Sequence, residues 1–283
     1  MILIIGATGT VGRELVRLLA TRGIPLRALT RDPARAEAIA YPGVEIVIGD
    51  LAAPETLAPA LAGIGKLFLL TPSSPEQAQF ETQVIELARQ TSINYIIKLS
   101  SLGASEASPI AMSRWHRRIE KIIETSGIAW TFLRPQNFMQ NLLGSSVSIR
   151  SQGVLKAPMG KGRMSLVDAR DVAAAAAAVL TQPGHEGKIY RLTGSQALSF
   201  GDIAAAFSEI LGRPIRYEDV TEDQIRLELE QAGFPPWLID DQIAIYRHFR
   251  GVKNPLINTT LEQLTGRQPR TLKEFIRDYR AEF

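Results

Sequence analysis

Gly6, Gly9 and Gly12 in "ILIIGATGTVGREL" follow an apolar run and open a helical pattern. Glycine permits a tight turn and lets the backbone approach a pyrophosphate, whose charge is then held by amides at the helix N-terminus. The spacing is G-x-x-G-x-x-G, a near relative of the G-x-G-x-x-G fingerprint of dinucleotide-binding folds. In this strand, turn and helix context it predicts dinucleotide binding, with Gly6, Thr8, Gly9, Thr10, Val11 and Gly12 around the phosphates. A purely structural turn is the competing account. No G-x-x-x-x-G-K-[ST] occurs, and "MGKG" at Met159–Gly162 lacks the hydroxyl that would hold magnesium.

The end of the second strand selects the nucleotide. An acidic residue about 20 positions past the glycines accepts from a ribose 2′-hydroxyl, whereas arginine accommodates a 2′-phosphate. The stretch "LRALTRDP" puts Thr30 at the acidic position and Arg31 after it, so NADP(H) is the expected cofactor. Arg31 reads equally as a solvated residue, with Asp32 capping the next helix and Pro33 at its first position. Asp50 and Leu51 after the third strand, and Thr71 and Pro72 after the fourth, fall at carboxyl ends of parallel strands, where ligands lie. Asp50 is placed toward the adenine and Thr71 toward the ribose or phosphates, unless either is a turn residue.

The second chemical stretch is "AMSRWHRRIE", which holds one of only three histidines. At about 100° per residue, Trp115, Ile119, Ile122 and Ile123 share one helix face, and Arg114, Arg117 and Lys121 take the far side. Met112 and His116 run along the edge of the apolar face, so His116 points inward or into a cleft, with Glu120 one turn on. An imidazole there gives a proton or a hydrogen bond to a carbonyl oxygen. A limb in the pH profile near its ordinary pKa of about 6.5 would follow. Alternatively it is a core-edge residue satisfied by Glu120 or a backbone carbonyl. Lys98, inside an apolar strand, either sits at the mouth of the cleft or snorkels outward.

The elements that must position these residues alternate. The runs Ile2–Ile5, Leu26–Leu29, Val44–Ile48, Leu67–Leu70, Tyr95–Leu99 and Trp130–Leu133 read as strands, with helical patterns at Val11–Thr21 and Glu76–Gln90 between them. That order predicts an α/β, Rossmann-type doubly wound parallel sheet. The alanine-rich Asp171–Leu180 reads as a further helix and "GKIYRLTG" as the sheet's last strand. The nucleotide domain is expected over 1–135 and 164–194, and a smaller, mainly helical substrate lobe over 136–163 and 195–283.

Composition narrows the function. The 32 basic and 29 acidic residues are scattered, which gives no footprint for nucleic acid. With no cysteine, thiolate metal sites and thiol nucleophiles are excluded, and redox chemistry must come from a bound cofactor. The three histidines show no ligand spacing, so no metal is expected. No apolar run is long enough for a membrane span, and a cytoplasmic protein is expected.

The stretches "IIGATGTVGRELV", "RALTRDP", "KLSSLGAS", "SRWHRRIEKIIETSGIAWTFLRPQNFMQNLL" and "LVDARDVA" together resemble the NmrA-like branch of atypical short-chain dehydrogenases/reductases. That branch includes NADPH-dependent quinone reductases and triphenylmethane-dye reductases. The resemblance implies an NAD(P)(H)-binding Rossmann domain with a small C-terminal lobe. It places Ser100 and Ser101 beside the cofactor, Pro135 and Asn137 at the nicotinamide amide, and Met112, Phe138 and Met139 along an apolar pocket. Core packing competes for the last two. The ordinary short-chain reductase donates a proton from Tyr-x-x-x-Lys, and in the register set by Glu120 those positions hold Met112 and His116. The chain thus departs from the pattern at the proton donor, which points away from carbonyl reduction. The resulting expectation is hydride transfer from NADPH to a planar, mostly apolar acceptor such as a quinone, with His116 catalytic. A non-catalytic NADP(H) sensor acting through a partner protein shares every cofactor motif, and a homodimer or a regulatory partner stays open.

Overall fold

The computed structural model describes residues 1–283. Its main sheet holds β1 (Ile2–Ile4), β2 (Leu26–Thr30), β3 (Val44–Ile48), β4 (Lys66–Leu69), β5 (Tyr95–Leu99), β6 (Ala129–Pro135) and β9 (Lys188–Leu192), in the order β3-β2-β1-β4-β5-β6-β9. Every pairing in it is parallel. These strands are the β-branched and leucine-rich runs of the sequence, and β1, β2 and β5 are buried throughout, as a sheet covered on both faces requires.

Helices α1 (Thr10–Thr21), α2 (Ala58–Leu61), α3 (Gln77–Ala88), α4 (Ala111–Glu124) and α6 (Ala169–Thr181) supply the cover. On one face Leu3, Leu67, Leu69, Ile96 and Phe132 pack with Leu61, Val84, Ile85, Ile119 and Ile123 from α2, α3 and α4. Helices α1 and α6 pack on each other and against β2, β5 and β6. The strand order reverses between β1 and β4, which makes the gap beyond their carboxyl ends the switch point where such sheets take ligands.

The chain divides into two units, one of residues 1–108, 112–135 and 169–192, the other of 109–111, 136–168 and 193–283. Residues 164–168, which the sequence reading groups with the sheet, pair within the second unit: β8 (Arg163–Met164) runs antiparallel to β10 (Leu198–Ser199), and Val167 bridges Phe138. There β7 (Val154–Ala157) also pairs in parallel with β11 (Arg216–Asp219), beside α5 (Ser146–Gln152), α7 (Phe200–Leu211), α8 (Glu222–Gln231), α9 (Pro236–Arg250), α10 (Thr260–Thr265) and α11 (Leu272–Asp278). Its core gathers Met139, Leu155, Met164, Phe207, Phe275 and Phe283, among others. No helix is long and apolar enough to cross a membrane.

Phe132 is fully buried beneath α3 and α4. Truncation to Ala should cost about 3–5 kcal/mol in a urea titration, whereas Val147→Ala, at an exposed site, should stay within about 0.5 kcal/mol.

Candidate functional site

The glycine turn closes without room for side chains. Gly6 has φ +79°, in the left-handed region, and a Cβ on it would lie 2.4 Å from the Leu70 carbonyl oxygen. A Cβ on Gly12 would lie 2.0 Å from the Gly6 carbonyl oxygen. Gly9 is the N-cap of α1, no side chain caps that helix, and no acidic residue occupies its first turn. The amides there stay available for an anion, and the dipole favours one. The residues present therefore suit a pyrophosphate group. Thr8, Gly9 and Thr10 lie toward the surface, whereas Val11 and Gly12 are buried against the sheet.

Arg31, just past β2, is exposed. Asp32 accepts from the Ala34 amide at 2.9 Å and caps the short helical turn Pro33–Arg35, so the capping account of Asp32 holds. Arg35 lies across that turn and donates to the Thr8 carbonyl oxygen at 3.2 Å. A second guanidinium thus reaches the glycine turn, a residue the sequence reading missed. Asp50 is a turn residue: its side chain accepts from the Ala52 amide at 3.0 Å, and its own amide donates to Thr56 Oγ1 at 2.9 Å. Leu51 is half-buried and Pro72 exposed.

Where the last residues of β5 and β6 meet α3 and α4 lie two buried clusters of charge. Lys98 is not at a cleft mouth and does not snorkel; it is wholly buried and donates to Glu81 Oε1 at 2.9 Å and to the Leu99 carbonyl oxygen at 2.6 Å. An ammonium without water must find an anion, and Glu81, also fully buried on α3, is that anion. Thr71 donates its hydroxyl proton to the same Oε1 at 2.5 Å, and Gln77 Nε2 donates at 3.2 Å. In the second cluster Glu120 accepts from Ser100 Oγ at 2.7 Å, from Arg134 through two nitrogens and from Arg117 at 3.1 Å. The strand ladder runs on past β5, with Ser100 N donating to the Leu133 carbonyl and Leu102 N to that of Pro135. Ser100 is thereby held opposite Arg134 and Ser101, half-buried, opposite Pro135.

His116 is 8% exposed, and its Nδ1 is buried without a hydrogen-bond partner. The expected contact with Glu120 does not form, because both oxygens of that carboxylate are taken by Ser100, Arg117 and Arg134. Bidentate guanidinium pairing outbids a neutral ring. Burial holds His116 well below its ordinary pKa, and the nearby charges of Lys98 and Arg134 push it further down. It is neutral at physiological pH, so a rate limb from this ring falls well below 6.5. Met112, one turn earlier, is half-buried.

Asn137, Phe138 and Met139 belong to the second unit. Asn137 bonds locally: its backbone N donates to Gln136 Oε1 at 2.9 Å, and Nδ2 donates to Met164 Sδ at 3.6 Å. Met139 is buried in that unit's core, in accord with packing; Phe138 is half-buried. No group of three or more His, Cys, Asp or Glu residues is placed to hold a metal.

The NmrA-like family model matches residues 1–280. The chain belongs to the NmrA-like family. Among family relatives, an NAD(P)H azoreductase of Xenophilus azovorans is 40% identical over 288 residues, covering 100% of this chain and 99% of its own. Quinone oxidoreductase 2 of Escherichia coli is 33% identical over 244 residues, covering 85% of each. The crystal structure of an NADPH-dependent quinone oxidoreductase from Escherichia coli, complexed with NADPH, superposes with a TM-score of 0.88 at 30% identity, covering 98% of this chain and 99% of that one. Triphenylmethane reductase of Citrobacter sp., complexed with NADP(H), gives 0.88 at 28% identity, with the same coverage.

Glu81, Arg134 and Arg35 are not singled out by the sequence, which marks Glu120 only as a register position and a candidate partner of His116. Glu81 carried a signal: it falls on the stripe of Ala78, Ile85 and Ala88, a carboxylate on a buried helix face that calls for a buried cation.

Two measurements follow from this geometry. Gly12→Ala should lower stability by about 1–3 kcal/mol and weaken NADPH binding in a fluorescence titration, since the added methyl meets backbone atoms. For His116, the unfolded ring gains a proton as pH falls through about 6.5 while the folded ring stays neutral, so the stability present above that pH is lost below it. Between pH 6.5 and 5, urea titrations should show the wild type losing up to about 1.4 kcal/mol per pH unit more than His116→Gln.

Proposed function

We infer that this NmrA-like chain is an NADPH-dependent oxidoreductase that passes hydride to a planar, mostly apolar acceptor of the quinone or azo kind. The observation that carries the acceptor class is the pairing of Met112 with a buried, neutral His116 where an ordinary short-chain reductase keeps its proton donor. A carbonyl reduced to an alkoxide needs a proton as hydride arrives. A quinone instead yields a stabilised phenolate, for which one hydrogen bond and a later proton from solvent suffice. The names of the relatives agree: azo compounds, quinones and triphenylmethane dyes share extended planar conjugation. Those relatives are reductases, which favours the enzyme over the sensor that the cofactor motifs alone also permit.

Bound NADPH supplies the hydride. Around it, the α1 amides and Gly6, Gly9 and Gly12 hold the pyrophosphate, and Arg31 with Arg35 takes the 2′-phosphate. Within the first unit, Ser100, Ser101 and Pro135 would border the nicotinamide, and Met112 would supply apolar surroundings for the acceptor. His116 donates a neutral N–H to the acceptor atom that gains charge. We assign that proton to Nε2, because Nδ1 is enclosed without an acceptor and orphaned buried donors are rarer than orphaned acceptors. The reading sets the enzyme in the cytoplasm; it needs neither a homodimer nor a regulatory partner.

Titration of both nucleotides should show NADPH binding more tightly than NADH, and Arg31→Ala/Arg35→Ala should remove about 10- to 100-fold of that preference. Equal affinities in the wild type would remove the arginines from the site. His116→Ala should leave the NADPH affinity in place and slow turnover ~10²-fold with a poor acceptor such as a dye, less with a quinone, the size of one lost donor to developing charge. The wild-type profile should show no limb near pH 6.5.

A further inference from the structure

A buried ion pair is a weak stabiliser, because desolvating two charges offsets most of their attraction. The Lys98–Glu81 pair, fully buried, thus needs another reason to stand at the last residues of β4 and β5, where Lys98 pairs with Leu69. Its position supplies one. Thr71 follows Leu70, whose carbonyl oxygen packs on Gly6, so Thr71 stands at the β1/β4 switch point beside the glycine turn. There its only hydroxyl proton is committed to Glu81 Oε1, and Lys98 holds that same oxygen in place.

We propose that Lys98 and Glu81 are positioning residues that fix Thr71 as a pure hydrogen-bond acceptor toward a ribose hydroxyl of the bound nucleotide. A hydroxyl has one proton and two lone pairs. With the proton spent on Glu81, Thr71 has nothing to give a phosphate oxygen, which only accepts. The nucleotide groups that donate are its ribose hydroxyls, the nicotinamide carboxamide and the adenine amino group, and of these the ribose hydroxyls flank the pyrophosphate that the neighbouring turn holds. The carboxylate also fixes the direction of the Thr71 lone pairs, so the acceptor is oriented before the ligand arrives. This rests on the nucleotide lying at the glycine turn, and it resolves the choice between ribose and phosphate for Thr71.

The test sets affinity against stability. Lys98→Met/Glu81→Leu replaces the pair with apolar side chains of similar volume, a change that is often neutral or stabilising. Its melting temperature should match or exceed that of the wild type, yet NADPH should bind about 3- to 10-fold more weakly by fluorescence titration, the worth of one neutral hydrogen bond. Thr71→Val should weaken binding by a like factor in the wild type and by little in the double variant, since the two changes break one interaction. Glu81→Gln keeps an acceptor for Thr71 but leaves Lys98 without its counter-charge. It should melt lower while binding NADPH within about twofold of the wild type, and it carries the test alone should the double variant fail to fold. Affinities that follow melting temperature through the series, or a double variant that binds like the wild type, would overturn the proposal. Wild-type affinity in Thr71→Val would show instead that Thr71 does not touch the nucleotide. A wild type that binds no NADPH would overturn the site as a whole.

Discussion

The carbonyl oxygen of Gly6 leaves no room for a side chain at position 12, and much of the site follows from that contact. It pins the first turn of α1 against the end of β1, so the helix's free amides open at the edge of the sheet. Gly6 in turn lies against the Leu70 carbonyl, which brings the segment after β4 beside the turn. Two backbone contacts, each possible only at glycine, thus assemble the anion-binding helix end and the start of the β4 loop at the one gap where strand order reverses.

The second constraint is charge without water. Glu81 with Lys98, and Glu120 with Arg134, lie behind the carboxyl ends of β4, β5 and β6, and each carboxylate also binds a hydroxyl, Thr71 in one case and Ser100 in the other. Removing one partner of such a pair costs about 3–5 kcal/mol, so the arrangement is rigid even though its net contribution to stability is small. Burial, reinforced by the charges of Lys98 and Arg134, keeps His116 neutral. The proposed site would offer oriented acceptors and one neutral N–H, and no strong acid. Its chemistry suits an acceptor that stabilises its own negative charge.

Much of this was legible in the sequence. The strands were legible because both faces of the sheet are covered, so they read as near-continuous apolar runs. The glycine spacing gave the turn, and helical periodicity placed His116 on an inward edge. What the sequence concealed were partnerships. Lys98 was visibly out of place in its strand, but its partner lies 17 residues earlier on a helix, and only the fold brings the two together. Glu120 stands one turn from His116 and was the natural partner, until Arg134, 14 residues on, took it through two bonds. The β7–β11 pairing was hidden for another reason: "RYED" has no apolar alternation, and its partner lies some 60 residues away. Arg35 carried no signal, since an exposed arginine is ordinary.

The central claim is that NADPH bound at the glycine turn hands hydride directly to a planar acceptor. Stopped-flow oxidation of NADPH deuterated separately at each C4 position, with a quinone and an azo dye as acceptors, tests it most directly. A fixed stack of nicotinamide and acceptor predicts a primary isotope effect on NADPH oxidation from one label and none from the other. Tight NADPH binding with no oxidation by either acceptor, or oxidation equally indifferent to both labels, would contradict the account.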